Sequence, residues 1–235
     1  MPPLIALPGT LLDSRSLSPT LAGLDARVEL LGHCPALTDE LDRLAAMTNG
    51  PVWWVGHSLG AIVALHLAAR HPNAVAGLVT LAGSARPASM GALARCAAQW
   101  KVARQDGLRA LAQSKLGPGY GLQADDVLVH SLADQAEAVG LTRFQHQLAY
   151  IAKRPGLRDR GRWIHVPVLA LSAVDDALCP PAQSDEIVSL APPGVVTAHE
   201  RLQGAGHLFP MQDPAWVATR LHAFMNLHAH AESSP

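Results

Sequence analysis

The chain has 235 residues, of which 49% are hydrophobic and 16% charged, and its formal net charge is −1. This length and composition predict one globular domain with a sizeable core and exclude a disordered chain. Its 18 Lys and Arg residues are dispersed and form no strongly basic face, so a nucleic-acid partner has no electrostatic support.

Cysteine content and hydrophobic spans indicate the expected compartment. Cys34, Cys96 and Cys179 are far apart and form no CxxC pair, so we expect reduced thiols. The apolar run that follows Met1 is too short for a signal peptide and has no basic residues before it. No stretch approaches the roughly 18 uninterrupted apolar residues of a membrane span. We therefore expect a soluble, cytoplasmic protein that does not bind a membrane.

Short apolar runs that do not alternate with polar residues are typical of buried parallel strands. The predicted strands are Leu4–Leu7, Val28–Leu31, Val52–Val55, Val75–Leu81, Val166–Leu171 and the less apolar Val195–Leu202. The predicted helices are Thr38–Met47 with Thr38 as N-cap, Ser58–Arg70, and Pro214–Leu227 with Asp213 as N-cap. Strands and helices in alternation predict an α/β fold, with a mostly parallel sheet flanked by helices on both faces.

One region breaks this alternation. From residue 86 to residue 162 the sequence shows only helix-favouring segments rich in Ala and Leu, interrupted at Gly117–Gly121 (GPGYG) and at Pro155-Gly156. The region is too long for a simple connection, so we expect a helical cap at 86–162, inserted between core segments 1–85 and 163–235. The last residues, HAHAESSP, are expected to form a frayed tail.

The stretch Pro51–Val63 (PVWWVGHSLGAIV) places a serine between two glycines where a strand meets a helix. A tight turn of this kind needs close approach of the flanking chain, which glycines at positions 56 and 60 permit. The turn exposes the hydroxyl of Ser58 at the carboxyl end of the sheet, where ligands of open α/β folds bind. It also lies at a helix N-terminus, which favours developing negative charge. The pattern predicts a nucleophile, although the five-residue motif alone also arises by chance.

A serine hydroxyl becomes a good nucleophile only beside a base, and that base needs an orienting acid. Two later strand ends offer such groups. Asp175 and Asp176 follow the predicted strand Val166–Leu171, and His207 follows the last predicted strand. Because the carboxyl ends of parallel strands meet at one edge of a sheet, we expect His207 and one aspartate to lie near Ser58.

These motifs together resemble the α/β-hydrolase superfamily over nearly the whole chain. The resemblance rests on LPGT after the first strand, GHSLG at the serine, AVDDALCP, and GAGHLFPMQDP before the last helix. It implies an α/β-hydrolase fold in which Ser58 is the nucleophile, His207 the general base and an aspartate the orienting acid. Members typically carry this acid four residues before a proline, which favours Asp176, four before Pro180, over Asp175.

The resemblance also implies an oxyanion hole. Its two N–H donors are expected from the residue after the serine, Leu59, and from the turn after the first strand, where Thr10 is the candidate. Most relatives have His-Gly in that turn, whereas this chain has Pro8-Gly9, and proline cannot reproduce the hydrogen bonds of histidine. Relatives usually have two antiparallel strands before the oxyanion strand, which here begins at about residue 4. We therefore expect a sheet trimmed to about six strands.

Other residues invite different interpretations. His228 and His230 form a pair without a carboxylate or thiol cluster, and we expect neither a metal nor an organic cofactor. His57 is expected to make packing or polar contacts near the site. Aromatic residues of the predicted cap either line an acyl pocket or form the cap's own core; they are Trp100, Tyr120, Phe144 and Tyr150. Its basic residues either form a solvated face or receive an acyl-carrier protein or a CoA ester; they are Arg95, Lys101, Arg104, Arg109 and Lys115.

The expected function is hydrolysis of a carboxylic ester of a small molecule through a Ser-His-Asp triad and an acyl-enzyme. Thioester, lactone or carbon–carbon bond hydrolysis on the same triad are alternatives, and so is a non-catalytic ligand-binding protein on this fold. The acyl and alcohol groups stay open, because specificity depends on the geometry of the cap.

Overall fold

A six-stranded parallel sheet forms the centre of the molecule. The computed structural model describes residues 3–123 and 126–231, and the side chains of residues 228–231 lie outside this description. The strands follow the order β2-β1-β3-β4-β5-β6, and all neighbouring pairs are parallel. They are β1 (Leu4–Leu7), β2 (Ala26–Val28), β3 (Val52–His57), β4 (Val75–Leu81), β5 (Val168–Ala173) and β6 (Thr197–Leu202). The predicted α/β fold with about six strands is confirmed.

Helices cover both faces of this sheet and fill the long connection between β4 and β5. They are α1 (Leu37–Ala46), α2 (Leu59–Arg70), α3 (Met90–Gln105), α4 (Gly107–Leu111), α5 (Gly117–Gly119), α6 (Val127–Val139), α7 (Leu141–Lys153), α8 (Pro181–Ser189), α9 (Phe209–Gln212) and α10 (Pro214–Ala231). A π-helix spans Ala112–Leu116, and single 3₁₀ turns span Ser14–Ser16, Pro72–Ala74 and Arg158–Arg160. Within the described ranges, no helix is long and apolar enough to cross a membrane.

Strand side chains alternate between two apolar layers. Ile5 and Trp54 pack into the layer that contains buried residues of α1, α2 and α8. Leu4 and Trp53 point to the other face, where the apolar side of α10 covers the sheet. Because neighbouring strand residues point to opposite faces, a strand buried on both faces has to be continuously apolar. The two tryptophans are therefore core residues, as predicted from their place in the strand.

The segment between β4 and β5, residues 86–162, is referred to below as the helical segment. Most of its buried apolar side chains form a third cluster, whereas Tyr150 and Leu157 pack into one of the layers on the sheet. That cluster also includes Leu11 and Leu12, which follow β1, and Leu208, which follows β6. The helical segment therefore packs directly on the loops at the carboxyl ends of two strands.

The first edge strand is displaced from its predicted position. β2 spans Ala26–Val28, whereas the apolar run predicted Val28–Leu31. Its partner β1 is only four residues long, so the register ends where Ala6 pairs with Val28. Leu31 leaves the sheet but stays buried in the core. Strand pairing therefore starts two residues before the apolar run and includes only its first residue.

Other boundaries differ from prediction as well, among them the start of β6, which is Thr197 and not Val195. β5 begins at Val168 because Pro167 has no N–H and contributes only its carbonyl, which accepts from the N–H of Leu78 at 2.9 Å. α1 begins at Leu37, so the predicted N-cap Thr38 lies inside the helix. α10 runs to Ala231, so the expected frayed tail from residue 228 is helical over its first four residues. Residues 232–235 lie outside the described residues.

Candidate active site

Ser58 occupies a strained turn between β3 and α2. Its φ and ψ are 53° and −111°, a conformation that residues with a Cβ rarely adopt. Its N–H donates to the carbonyl of Leu81 at 2.8 Å, which fixes the turn to the neighbouring strand. A Cβ on Gly56 would lie 2.3 Å from the backbone of Gly60, and one on Gly60 would lie 1.9 Å from the carbonyl oxygen of Leu7. Both glycines are therefore required for the close approach that the sequence predicted.

His207 joins Ser58 to Asp176 by two hydrogen bonds. Its Nε2 lies 2.8 Å from Ser58 Oγ, and its Nδ1 lies 2.8 Å from Asp176 Oδ2. A carboxylate can only accept, so Nδ1 carries the proton and Nε2 is the acceptor for the serine hydroxyl. The histidine and the aspartate are 1% and 2% exposed, so water does not compete for the bond between them. The three side chains singled out in the sequence thus lie in hydrogen-bonding contact.

Asp176, and not Asp175, faces the imidazole. Its second oxygen, Oδ1, accepts from the N–H groups of Leu178 and Cys179 at 2.8 and 2.9 Å. Burial alone would raise the pKa of Asp176, but the hydrogen bonds from His207 and from these two amides hold it below its ordinary value. Asp175 is exposed. The buried carboxylate is therefore ionised and fully hydrogen-bonded.

His57 supports the backbone next to the imidazole of His207. Its Nε2 lies 2.9 Å from the carbonyl oxygen of His207, so this nitrogen is the donor. Complete burial, with a smaller contribution from the neighbouring histidine, lowers the pKa of His57 to about 3, and the ring stays neutral. Its Nδ1 is buried and has no partner within the described residues. The polar contact expected of His57 is thus a hydrogen bond to the backbone of His207, which helps to orient His207 beside Ser58.

Two backbone N–H groups border the same cavity as the serine hydroxyl. Thr10 and Leu59 both line the cavity with Ser58. Neither N–H donates to an acceptor in the part of the chain that the structure describes. Leu59 is the first residue of α2, where N–H groups have no acceptor within the helix. Both residues predicted for the oxyanion hole therefore lie beside Ser58 with free donors.

The loop after β1 is held by two glutamines of the helical segment. Gln147 accepts from the N–H of Leu11 at 3.0 Å and donates through Nε2 to the carbonyl of Leu31 at 3.1 Å. Gln135 accepts from the N–H of Asp13 at 3.0 Å. Leu11 has a left-handed φ of 57°, which a β-carbon disfavours and this contact stabilises. Neither glutamine was predicted from the sequence, because both lie more than 100 residues from the loop.

A cavity of about 270 Å³ opens beside Ser58 and is roofed by the helical segment. Tyr120, from the GPGYG stretch, lines it, and its ring centroid lies 5.0 Å from that of His207. The other aromatic residues of the segment do not line it. Phe144 is buried in the third apolar cluster with Trp100 against it, and Tyr150 is buried beside Glu40. Tyr120 therefore lines the cavity, and Trp100 and Phe144 belong to the core of the helical segment. Tyr150 fits neither interpretation, because it packs into the apolar layer on the sheet.

Asp176, Cys179 and His207 could in principle ligate a metal ion, since their ligand atoms all lie within 4.8 Å of one another. The arrangement does not favour one. Asp176 and His207 already pair with each other, and burial raises the pKa of the Cys179 thiol, which disfavours the thiolate that a metal needs. The side chains of His228 and His230 lie outside the described residues.

The chain is similar to known hydrolases in both sequence and structure. The sequence profile described as the alpha/beta hydrolase family matches residues 4–220. The biotin biosynthesis bifunctional protein of Teredinibacter turnerae is 28% identical over 84% of this chain, which spans only 37% of that protein. A pimeloyl-[acyl-carrier protein] methyl ester esterase of Neisseria meningitidis is 28% identical over 83% of this chain and 76% of its own length. A thermophilic esterase from Thermogutta terrifontis superposes with a TM-score of 0.81 at 20% identity, covering 96% of this chain and 90% of that one.

The hydrogen bond to His207 predicts that Ser58 is the reactive serine of this cavity. A fluorophosphonate probe should label wild-type protein stoichiometrically at Ser58 and should not label Ser58→Ala, because among the serines that line the cavity this is the one hydrogen-bonded to an imidazole. Ser84 lines the same cavity without such a contact, so Ser84→Ala should label like the wild type. Mass spectrometry of the labelled peptides measures the result. An unlabelled wild-type protein, or a label on Ser84, would contradict the assignment.

Proposed function

The chain belongs to the alpha/beta hydrolase family, and we propose that it hydrolyses a carboxylic ester of a small molecule through an acyl-enzyme on Ser58. One observation carries this proposal. The hydrogen bonds Asp176–His207–Ser58 run without a break from a buried carboxylate to a hydroxyl that lines the cavity. A relative named as a methyl ester esterase supports an ester as the bond that is cleaved.

The first half of the reaction transfers the acyl group to the enzyme. Ser58 Oγ attacks the ester carbonyl while His207 Nε2 takes the hydroxyl proton. The resulting imidazolium is stabilised by the charge of Asp176, which stays ionised. The same Nε2 then returns its proton to the leaving alcohol as the bond between the acyl carbon and the alcohol oxygen breaks. The acyl group remains esterified to Ser58.

The second half releases the acid. Water takes the place of the alcohol, His207 Nε2 removes one of its protons, and the oxygen attacks the acyl carbon. The proton then returns to Ser58 Oγ as the acyl–serine bond breaks, which leaves the carboxylic acid and the original hydroxyl. The enzyme's own residues supply every proton transfer in this cycle.

The negative charge of each tetrahedral intermediate needs donors that are in place beforehand. The N–H groups of Leu59 and Thr10 border the cavity and have no other acceptor in the described chain. Leu59 adds the partial positive charge of the N-terminus of α2. We assign both groups to the oxyanion hole.

We also propose that the helical segment acts as a cap over core segments 1–85 and 163–235. It supplies the roof of the cavity, and Tyr120 contacts the imidazole of His207. Excluding water there strengthens the electrostatic interactions among Ser58, His207 and Asp176. A cap in this position selects substrates by the shape and charge of its inner surface.

The two neighbouring aspartates provide a matched test of the mechanism. With p-nitrophenyl acetate as substrate, Asp176→Asn should lower kcat by about 10⁴, because the imidazole loses its orienting charge and favoured tautomer. Asp175→Asn should keep wild-type turnover, since Asp175 is exposed and makes no contact with His207. Steady-state kinetics on both variants, with Ser58→Ala as the inactive reference, measures this difference. Equal activity of the two variants, or turnover by Ser58→Ala, would refute the proposed roles.

The support of the oxyanion loop gives a second test. Gln147→Met removes the acceptor for the N–H of Leu11 with little change in volume, so the loop relaxes and the N–H of Thr10 moves. We expect kcat to fall by about 10- to 100-fold with a smaller change in KM, because the loop stabilises the transition state. Gln145→Met, on the exposed side of the same helix, is the control and should behave like the wild type. A folded Gln147→Met protein with wild-type kcat would show that the loop needs no such support.

A further inference from the structure

The cavity beside Ser58 is positively charged. Its lining includes Arg86, Arg95, Lys115 and Arg154, and none of the described lining residues is an aspartate or a glutamate. A cavity lined by charges of one sign attracts and retains ligands of the opposite sign. A cation is available to a ligand only if no carboxylate of the protein already pairs with it, and the four cations differ in this respect.

Arg86 is already neutralised. Its Nε donates to Glu186 Oε2 at 2.9 Å, and its Nη2 pairs with the other oxygen of the same carboxylate. Such a bidentate pair occupies the edge of the guanidinium, formed by Nε and Nη2, that would otherwise bind a ligand. Arg86 therefore contributes to the wall of the cavity without offering a free charge.

Arg154, at the end of α7, is partly buried and has no counter-ion within the described residues. Its Nε donates to the carbonyl of Arg86 at 3.1 Å and its Nη1 to the carbonyl of Ile151 at 2.8 Å. Its Nη2 has no acceptor in the described chain, although Arg154 lines the cavity. Burial lowers the pKa of Arg154, because removing the guanidinium from water costs free energy. No carboxylate of the described residues offsets this desolvation cost. An anion in the cavity would supply the missing partner.

This charge lies in the same cavity as the proposed nucleophile, since Arg154 and Ser58 both line it. Burial raises the pKa of the Cys179 thiol, and Arg154 and Arg95 are close enough to oppose that rise. Cys179 Sγ in turn lies within 4.8 Å of ligand atoms of Asp176 and His207. Cys179 lines the same cavity as Arg154, Arg95 and Ser58.

The other basic residues of the helical segment have different surroundings. Arg109 pairs with Asp134 and Glu137 at 2.5 and 2.6 Å on the surface. Arg104 lies over the ring of Trp100 at 6.0 Å and does not line the cavity. Arg95 and Lys115 are exposed, line the cavity and form no ion pair in the described part of the chain. They are placed to attract an anion to the cavity that Arg154 lines.

This inference rests on the proposed ester hydrolysis. We propose that the part of the substrate inside the cavity ends in an anionic group, a carboxylate or a phosphate, which Arg154 binds and Arg95 and Lys115 attract. A planar guanidinium with open N–H groups matches two oxygens of either anion. The volume of about 270 Å³ limits this part to a small molecule.

The test compares esters that differ only in the charge at the far end. The substrates are monomethyl adipate, its uncharged analogue with a terminal carboxamide, and an analogue with a terminal phosphate monoester. Methyl ester cleavage is followed by acid release at constant pH. The measured quantity is the ratio of kcat/KM for each charged ester to kcat/KM for the carboxamide. In the wild-type protein we expect this ratio to be about 10 or more, as for a charge-assisted hydrogen bond. The larger of the two ratios identifies the anion.

Variants assign the preference to a residue. Arg154→Gln should bring the ratio down to about 1, and Arg95→Gln, at an exposed position, should lower it in part. Arg154→Lys should keep part of the preference, because it keeps the charge and loses the planar fork. Arg104→Gln, on the same helix as Arg95 but outside the cavity, is the control and should keep the wild-type ratio. A purely structural role of Arg154 in fastening α7 would lower all rates together and leave the ratio unchanged, which would overturn the proposal.

Failure of the anion site and failure of the proposed hydrolysis give different results. Wild-type turnover of p-nitrophenyl acetate without preference for either charged ester would overturn the anion site and leave the ester hydrolysis standing. Loss of all turnover, with no fluorophosphonate label on Ser58, would overturn both.

Discussion

The hydrogen bond between His207 Nδ1 and Asp176 Oδ2 decides which nitrogen of the imidazole can act as a base. At 2.8 Å, and almost fully buried at both ends, it holds the proton on Nδ1 and leaves Nε2 as the acceptor 2.8 Å from Ser58 Oγ. The buried carboxylate is stabilised by two backbone N–H groups from the turn that follows it. Without that turn, the charge of Asp176 would be too costly to bury, and the imidazole would lose its orientation.

The rest of the fold brings these three side chains to one edge. β3, β5 and β6 end at the same side of the parallel sheet, and the serine turn, the aspartate turn and the histidine loop follow those strands. The serine turn requires glycine at two positions, because a Cβ at either would overlap the neighbouring backbone. The reactive geometry therefore depends on close backbone packing as much as on the reacting side chains.

The helical segment contributes more than a roof. Gln147 and Gln135 reach from α7 and α6 to the loop after β1, which in this chain lacks the histidine that most relatives have there. Arg154, one residue past α7, brings to the cavity a charge that has no counter-ion among the described residues, and Tyr120 contacts the imidazole. A movement of this segment would change the cavity, the charge inside it and the oxyanion loop together. In this proposal, selectivity and transition-state stabilisation share one structural element.

The sequence predicted the parts of the site that follow strands. Ser58, His207 and the pair Asp175 and Asp176 could be located because each follows a strand of one parallel sheet. The choice of Asp176, and the candidates Leu59 and Thr10, came from the resemblance to α/β-hydrolases. Gln147 and Arg154 could not be found in this way. They belong to helices, and a helical pattern shows which face is apolar without showing what that face contacts. For the same reason β2 was misplaced, since only Val28 of the run Val28–Leu31 pairs with β1, and Leu31 is buried outside the sheet.

The most direct test of the proposed triad is to measure which nitrogen of the His207 imidazole carries the proton. The chain has 12 histidines, so ¹⁵N-labelled histidine gives several imidazole signals, and that of His207 is assigned as the one lost in His207→Gln. In wild-type protein at neutral pH, ¹⁵N NMR should show a proton on Nδ1 and none on Nε2, and Asp176→Asn should abolish this arrangement. A proton on Nε2 in the wild-type protein, or an Nδ1 proton unaffected by Asp176→Asn, would contradict the account.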